Sequence, residues 1–220
     1  ENIPLGDGSN GSMECVFSEI DENGSQPLGI IVRGDCVSET AMAYALSGTV
    51  LKNKELLNIS YNLLDFYLFN SVATKNEYGN PLHPAYGLIP WGISNHNWYK
   101  ASYGDDNARF LLASIVTSEI LKTKRWNDKL MRSLLSLLRT TGQNGFRGSR
   151  IDLNHFEENG WEYYNERDII NLSPHFEAYL WACFIWAYNQ TGDELFLEKA
   201  EKGIGIMMEN YPHKLIWTNG

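Results

Sequence analysis

A loop turns into a helix at Tyr103-Gly104-Asp105-Asp106-Asn107-Ala108-Arg109-Phe110, where polar residues run directly into the apolar segment 111–121. Asp and Asn favour the first positions of a helix, because their side-chain oxygens accept hydrogen bonds from backbone N–H groups that lack a partner inside the helix. The stretch therefore predicts a helix that begins near residue 104. Its two adjacent carboxylates, followed by an arginine one turn later, also make it a candidate for chemistry.

The same arrangement occurs earlier and later in the chain. Gly34-Asp35-Cys36 corresponds to Gly104-Asp105-Asp106, and at the same offset Leu51-Lys52-Asn53-Lys54 corresponds to Leu121-Lys122-Thr123-Lys124. A third unit opens at Ser173-Pro174, where proline suits the first turn of a helix. In each unit, apolar residues follow helical spacing on both sides of a short polar turn. The repeat therefore predicts three helical hairpins, with turns at 52–54, 122–125 and 191–193.

Long segments connect the predicted hairpins. Residues 72–103 and 142–172 are rich in Gly, Pro, Asn and aromatic side chains, and they are much longer than hairpin turns. Each segment leaves the second helix of one hairpin and enters the first helix of the next, so both lie at the same end of the hairpins. Because long structured loops in a compact domain usually carry function, we expect the functional site at this end.

The N-terminal segment, positions 1–33, differs from the rest of the chain. Glycine and serine are frequent there, and apolar runs at 13–20 and 28–32 flank the turn sequence Asp21-Glu22-Asn23-Gly24. We expect residues 1–33 to form a loop-rich segment with one hairpin of strands. Residues 34–220 are expected to form the helical-hairpin domain, so the predicted fold class is all-α.

Composition excludes several classes of function. The 220 residues carry a net charge of −9 and no basic run, whereas binding to nucleic acid requires clustered Lys and Arg. No stretch long enough to span a membrane lacks polar side chains, so no insertion into a membrane is predicted. The three cysteines lie far apart, and the five histidines lack paired metal-ligand spacing. The sequence therefore predicts no disulfide framework, no catalytic metal and no cofactor.

Three local motifs carry a resemblance to a known family. They are Arg33-Gly-Asp-Cys-Val-Ser-Glu39, Tyr103-Gly-Asp-Asp-Asn-Ala-Arg109 and Pro174-His-Phe-Glu-Ala-Tyr-Leu-Trp181. With the consecutive hairpins and long connecting loops, they make residues 34–211 resemble the six-hairpin glycosidases, whose fold is an (α/α) toroid. The resemblance implies that the first helix of each hairpin starts at the active-site face, with catalytic carboxylates in or just before it. Three hairpins stand where a full toroid has six, so we expect a toroid or part of one, with room for further domains of a longer chain.

Five carboxylates at the loop-rich end are considered for catalysis: Asp35, Glu39, Asp105, Asp106 and Glu177. Glycoside hydrolysis generally uses one carboxyl to protonate the leaving oxygen and a second as base or nucleophile. Asp35 and Asp105 occupy equivalent repeat positions, so helix capping explains both. Asp106 has a cysteine at its repeat position, and a helix N-terminus favours the ionised form that a base or nucleophile needs. Glu177 lies among aromatic residues, where an apolar site raises a carboxyl pKa and suits an acid. The predicted pair is Asp106 with Glu177 or with Asp35.

Aromatic and cationic residues near the same helix starts are candidates for substrate binding. Flat rings in loops suit stacking against the C–H faces of sugars. Arg109 can form an internal salt bridge with Asp105 or Asp106, or it can hold an acidic sugar. His175 can bind a hydroxyl group or serve a structural role. The predicted substrate-binding residues are Trp91, Trp98, Tyr99, Tyr103, Arg109, Arg147 and His175.

The leading hypothesis is a carbohydrate-active enzyme, a glycoside hydrolase that acts on an oligo- or polysaccharide. A polysaccharide lyase or sugar epimerase on the same fold would instead use Tyr103, His175, Arg109 and Arg147. A third alternative is a non-catalytic glycan-binding or scaffold module built from helical hairpins. The sequence leaves the compartment open and favours a secreted or periplasmic location over a cytoplasmic one.

Overall fold

The computed structural model describes residues 6–16 and 19–217, and its helices follow the predicted repeat. Each hairpin has two long antiparallel helices joined by a short turn, and the second helix of the first hairpin continues into a π-helical turn at Phe66–Asn70. The prediction of an all-α fold built from consecutive helical hairpins is confirmed. The three pairs are α1 (Gly34–Val50) with α2 (Lys54–Asp65), α5 (Gly104–Leu121) with α6 (Asn127–Arg139), and α8 (Pro174–Thr191) with α9 (Glu194–Glu209).

The first helices of the three hairpins lie side by side, with α5 between α1 and α8. Each second helix packs against its own partner, so the hairpins form an inner and an outer layer. Because α5 has neighbours on several sides, it buries apolar residues such as Phe110 and small polar ones such as Ser114. The outer helix α6 instead buries one stripe, which includes Leu130, Leu134 and Leu137, as expected of an amphipathic helix. Within the described residues, no helix is both long enough and apolar enough to cross a membrane.

Local side chains set the short turns between paired helices. The Asn53 side chain accepts a hydrogen bond of 2.9 Å from the backbone N–H of Glu55 and so caps α2. Asp193 caps α9 in the same way, through the backbone N–H of Leu195 at 3.1 Å. These caps satisfy donors that the first turn of a helix leaves free, which favours a new helix directly after each turn.

The long connecting segments contain secondary structure that the sequence did not predict. The helix α7 was missed because its sequence is largely polar and is interrupted by Gly160, whose φ is 73°. Strands β3 and β4 pair antiparallel, with Ala101 opposite Asp152 and Tyr103 opposite Arg150, so the two segments are joined directly in front of α5. The additional elements are α3 (Asn76–Gly79), α4 (His96–Tyr99), β3 (Ala101–Tyr103), β4 (Arg150–Asp152) and α7 (Leu153–Glu166).

The N-terminal segment forms the predicted hairpin of strands. Strand β1 (Glu14–Val16) pairs antiparallel with β2 (Leu28–Ile31). The carboxylate of Asp21 accepts hydrogen bonds from the backbone N–H groups of Asn23 and Ser25, at 2.9 and 2.8 Å, and so fixes the turn. Residues 17–18 of the predicted apolar run lie outside the described residues. The division into a segment 1–33 and a domain 34–220 stays a prediction.

Gly145 lies where the loop after α6 approaches α9. Its φ is +79°, and a Cβ there would overlap the backbone carbonyl oxygen of Lys199. Gly145→Ala is expected to lower the free energy of unfolding by about 3 kcal/mol, because a left-handed backbone and a clash with backbone both oppose the methyl group. Gly192→Ala is the matched control, since its φ is +72° but nothing lies within 4 Å of its Cβ position. Its expected loss is about 1 kcal/mol, and equal losses for the two variants in denaturant titrations would contradict the clash.

Candidate functional site

The starts of α1 and α5 meet the 72–103 segment at one end of the hairpins. Arg33 directly precedes α1 and pairs with Gly92 in an antiparallel bridge. The backbone N–H of Ile93 donates to the carbonyl of Val32 at 3.0 Å. Strand β3 leads directly into α5, so the same segment contacts the start of α1 and continues into α5. Backbone contacts of the 72–103 segment therefore hold the starts of α1 and α5, which carry candidate residues of the sequence motifs.

A group that we call the carboxyl cluster lies where α1 and α5 begin, and it consists of Asp35, Asp106, Arg33 and Arg109. Arg33 Nη2 lies 2.8 Å from both Asp35 Oδ2 and Asp106 Oδ1. Arg109 Nη1 lies 3.0 Å from Asp35 Oδ2 and 4.0 Å from Asp106 Oδ1. The Asp35 side chain is 1% exposed and that of Asp106 is 6% exposed. Two carboxyl groups from adjacent hairpins therefore meet out of water, between two arginines.

The surroundings of Asp106 raise the pKa of its carboxyl. Burial and the neighbouring carboxylates of Asp35 and Asp105 raise the pKa of Asp106 to about 8, although the Arg33 guanidinium opposes them. A hydrogen bond with Asp35 also raises this pKa, and it requires the proton because two ionised carboxylates contain no donor. The buried Oδ1 of Asp35 has no hydrogen-bond partner within the described part of the chain. The prediction that the helix N-terminus keeps Asp106 ionised is wrong, because loss of hydration outweighs the helix dipole.

Asp35 and Asp105 lie just after the N-cap residues of α1 and α5. The N-cap residues are Arg33 and Tyr103, which have extended backbones and no side-chain hydrogen bond to the helix. A glycine follows each N-cap residue, so both aspartates lie inside the first turn of their helices. Asp35 contacts two arginines instead. Burial raises the pKa of Asp105, whose Oδ1 has no hydrogen-bond partner among the described residues. Neither aspartate is therefore the N-cap residue of its helix, although the Asp105 carboxylate accepts from backbone N–H groups of the first turn.

Arg109 connects α5 to α1. Its Nε and Nη2 donate to the two carboxylate oxygens of Glu39 at 2.9 and 2.8 Å, which is a bidentate pair. Its Nη1 contacts Asp35. Arg109 therefore lies closer to carboxylates of α1 than to the aspartate of its own helix with which a salt bridge was expected. A role of Arg109 in holding an acidic sugar stays a prediction, and these contacts favour a structural role.

Glu177 is fully buried at the start of α8. Its carboxylate accepts hydrogen bonds from the backbone N–H groups of Arg147 and Gly148, at 3.1 and 2.8 Å, and from Asn171 Nδ2 at 2.8 Å. Burial raises the pKa of Glu177 against these hydrogen bonds, in the direction that the sequence predicted. The carboxylate nevertheless fixes the glycine-rich loop 142–148. Its role as the catalytic acid stays a prediction, and its contacts favour a structural role.

Arg147 is fully buried in the same loop. Its Nε donates to Thr140 Oγ1 at 3.1 Å, and its Nη2 donates to Ser102 Oγ at 3.4 Å. Burial and the nearby Arg167 lower the pKa of Arg147 to about 10, while Glu177 raises it. The side chain therefore ties the loop after α6 to strand β3. Its predicted contact with substrate is untested, and in this structure the side chain does not reach the surface.

A line of rings, which we call the aromatic row, runs from the 72–103 segment to the start of α8. Trp91 lies 4.8 Å from Trp98 and 5.8 Å from Tyr103, measured between ring centres. Tyr103 stacks on Phe176 at 6.5 Å with an angle of 17° between the ring planes. All of these rings are half-buried. The row consists of Trp98, Trp91, Tyr103, Phe176 and His175.

Arg33 joins the aromatic row to the carboxyl cluster, because its guanidinium lies 5.5 Å from the ring centre of Trp91. The sequence motifs contained Arg33 and Phe176 without suggesting a role for either. Tyr99, in contrast, does not join the row. Its ring packs edge-on against Tyr78 at 5.4 Å, and its hydroxyl donates to Glu77 Oε2 at 3.0 Å. A substrate contact by Tyr99 stays a prediction.

Glu14 of strand β1 also reaches the carboxyl cluster. Its Oε2 lies 3.6 Å from Arg33 Nη1 and 3.9 Å from the Sγ of Cys36. Burial and the Asp35 carboxylate raise the pKa of Cys36 to about 12, so this side chain stays a neutral thiol. Sequence reasoning missed Glu14, because no local pattern relates a short N-terminal strand to the helix starts. Among the described residues, no three His, Cys, Asp or Glu side chains are grouped so as to hold a metal ion.

Comparison with known proteins places the fold among solved structures. No family model and no curated protein sequence matches this chain. Its structure is similar to a solved chain described as "a novel alpha-amylase from Clostridium perfringens", with a TM-score of 0.55 and 16% sequence identity. The similarity covers 91% of this chain and 49% of that chain, so this chain spans about half the length of the solved one. At this identity the similarity shows the fold alone.

Proposed function

We propose that this protein is a carbohydrate-active enzyme, and specifically a glycoside hydrolase of the six-hairpin type. The similarity in fold to a chain described as an alpha-amylase supports this class. The packing of the first helices side by side, with aromatic rings at their starts, supports it independently. An oligo- or polysaccharide is the proposed substrate, since flat rings bind the apolar faces of sugars.

The observation that carries the proposal is a buried carboxyl with a raised pKa near a row of aromatic rings. A pKa of about 8 makes Asp106 a proton donor at neutral pH. Arg33 lies 2.8 Å from Asp106 Oδ1 and 5.5 Å from the ring centre of Trp91. Arg33 thus links this acid to the ring on which a sugar is proposed to stack.

In the proposed reaction, Asp106 donates its proton to the glycosidic oxygen as the bond from that oxygen to the sugar carbon breaks. Water adds to the same carbon and loses a proton to a carboxylate base. Asp35 is too close to Asp106 for this second role, because it shares a hydrogen bond with Asp106, whereas the two carboxyls of glycosidases are roughly 5–9.5 Å apart. Glu14 is the proposed base, because its side chain is 42% exposed and pairs with Arg33. Asp35 positions the acid.

Asp106→Asn tests the proposal directly. The variant is expected to lower glycan turnover by about 10²- to 10⁴-fold, because an amide at this position has no acidic proton to donate. The measurement is the release of reducing ends from a panel of neutral and acidic polysaccharides at neutral pH. The matched control is Asp65→Asn. It removes a half-buried carboxylate that is the C-terminal residue of α2 and pairs with Arg125, and the variant should retain full turnover.

Three outcomes would overturn the assignment. Full turnover by a folded Asp106→Asn protein would exclude Asp106 as the acid. Binding of glycans by the wild type without turnover would identify a glycan-binding module. Formation of an unsaturated product that absorbs in the near ultraviolet would identify a lyase, for which Tyr103 and His175 of the aromatic row become the residues to replace.

A further inference from the structure

A cavity of about 680 Å³ opens on the outer layer of helices, between α6, α7 and α9. Its volume lies within the range of roughly 300–1,000 Å³ that small-molecule sites occupy. None of its lining residues belongs to the carboxyl cluster or the aromatic row. The lining residues that matter here are Arg139, Gln143, Trp161, Asn165, Lys199 and Lys202.

Three of these residues are cations, and two of them are held in place by backbone carbonyls. Lys199 Nζ donates to the carbonyls of Thr141 and Gly142 at 3.2 and 2.9 Å. Arg139 Nη2 donates to the carbonyls of Pro84 and Tyr86. The buried Nε of Arg139 has no hydrogen-bond partner among the described residues. Both side chains are therefore preorganised and retain N–H donors for a ligand.

The positive charge of this cavity is not neutralised by ion pairs. Within the described residues, none of Arg139, Lys199 and Lys202 lies within 4.0 Å of a carboxylate oxygen. In the same structure, five other arginines, at positions 33, 109, 125, 132 and 150, do form ion pairs. Glu198 also lines the cavity and Glu162 acts on Arg139, so the net local charge is about +1 in a chain of net charge −9. Such a focus of positive charge attracts anions.

The rest of the lining suits a sugar ring. Trp161 is half-buried, and its ring centre lies 5.9 Å from the Arg139 guanidinium, so an aromatic face stands beside a cation. The side chains of Gln143 and Asn165 add amide donors and acceptors of the kind that bind hydroxyl groups. A cavity with one aromatic face, neutral amides and clustered cations matches a ligand with an apolar face, hydroxyl groups and one acidic group.

We propose that this cavity is a second carbohydrate site, which binds a sugar carrying a carboxylate or phosphate group. The acidic group contacts Arg139, Lys199 and Lys202, and the ring stacks on Trp161. The site is separate from the carboxyl cluster, so it does not depend on the proposed hydrolase activity.

Isothermal titration calorimetry on the whole chain tests this site with galacturonic acid and glucose 6-phosphate as probes, and with glucose and inorganic phosphate as controls. At least one acidic sugar is expected to bind at least about tenfold more tightly than glucose and than inorganic phosphate, and its affinity should fall as salt is added. The probe that binds shows whether the carboxylate or the phosphate ester is preferred. Asp106→Asn should bind it with unchanged affinity, which separates this site from the hydrolase proposal.

Lys202→Glu reverses an exposed charge of the cavity and is expected to weaken binding of the acidic sugar by at least about tenfold. The matched control is Lys124→Glu, which reverses an exposed lysine in the turn between α5 and α6 and should leave the affinity unchanged. Three results would overturn the proposal: equal affinity for glucose, equal affinity for inorganic phosphate, or an unchanged affinity in Lys202→Glu. Absence of saturable binding at millimolar concentrations of both acidic sugars would overturn it as well.

Discussion

Asp106→Asn is expected to weaken the dependence of stability on pH between about pH 4 and pH 8. In the native protein Asp106 keeps its proton up to about pH 8, whereas an aspartate in the unfolded chain loses it near pH 3.9. Between these values the native state binds one more proton than the unfolded state. Stability contributed by Asp106 is therefore complete below about pH 4 and is lost as the pH rises towards 8.

The expected size of this effect follows from proton linkage. One extra bound proton gives a slope of about −1.4 kcal/mol per pH unit, which amounts to at most about 6 kcal/mol over the whole window. The amide of the variant cannot titrate, yet it can accept from Arg33 and donate to Asp35, as the protonated carboxyl does. At pH 8 the variant should therefore be more stable than the wild type.

Denaturant titrations at several pH values measure this difference. Asp65→Asn is the control, because it also removes an aspartate paired with an arginine but should keep the slope of the wild type. If the wild type and Asp106→Asn show the same slope, Asp106 is ionised in the native state. Its assignment as the proton donor would then fail together with this prediction.

Glu177→Ala is expected to lower the free energy of unfolding by about 3–5 kcal/mol. The carboxylate accepts from two backbone N–H groups and from Asn171; the two backbone hydrogen bonds are buried and the one from Asn171 is partly buried. Glu177 also offsets the buried guanidinium of Arg147, whose pKa it raises. Removing the carboxylate leaves unpaired donors and an uncompensated buried charge, which is among the most destabilising changes that a single substitution can make.

The control for this variant is Glu158→Ala, which removes an exposed carboxylate on α7 and should change stability by no more than about 0.5 kcal/mol. Thermal and denaturant unfolding should give the same order of stability. A Glu177→Ala protein with unchanged stability and lost turnover would instead support the catalytic role that the sequence predicted. The two roles of Glu177 are thus separated by measuring both quantities.

The hairpins were predictable because each depends on local sequence. The apolar spacing that continues from Phe110 marks one helix, and the equivalent motif at Gly34-Asp35 marks its neighbour. Strands β3 and β4 were not predictable, because both are very short and each pairs with a strand in the other connecting segment, far away in the chain. Helix α7 escaped prediction because Gly160 interrupts it and most of its residues are polar.

The sequence predicted the positions of the candidate residues better than it predicted their ionisation and contacts. Asp106 and the aromatic motifs were identified at the helix starts, where the structure places them. The ionisation of Asp106 was predicted with the wrong sign, since the local argument considered the helix N-terminus and omitted Asp35 from the neighbouring hairpin. Arg33 had no predicted role, although it contacts Asp35, Asp106 and Trp91 together.

The sequence by itself determined the helical hairpins, their short turns and the end of the molecule that carries the candidate residues. Helical periodicity and capping depend on residues a few positions apart, so a linear sequence contains them. Only the tertiary structure decided that Asp35 meets Asp106, that Glu177 fixes a loop, and that the pKa of Asp106 is raised. A carboxyl pKa depends on hydration and on charges within a few ångströms, and those neighbours come from other hairpins.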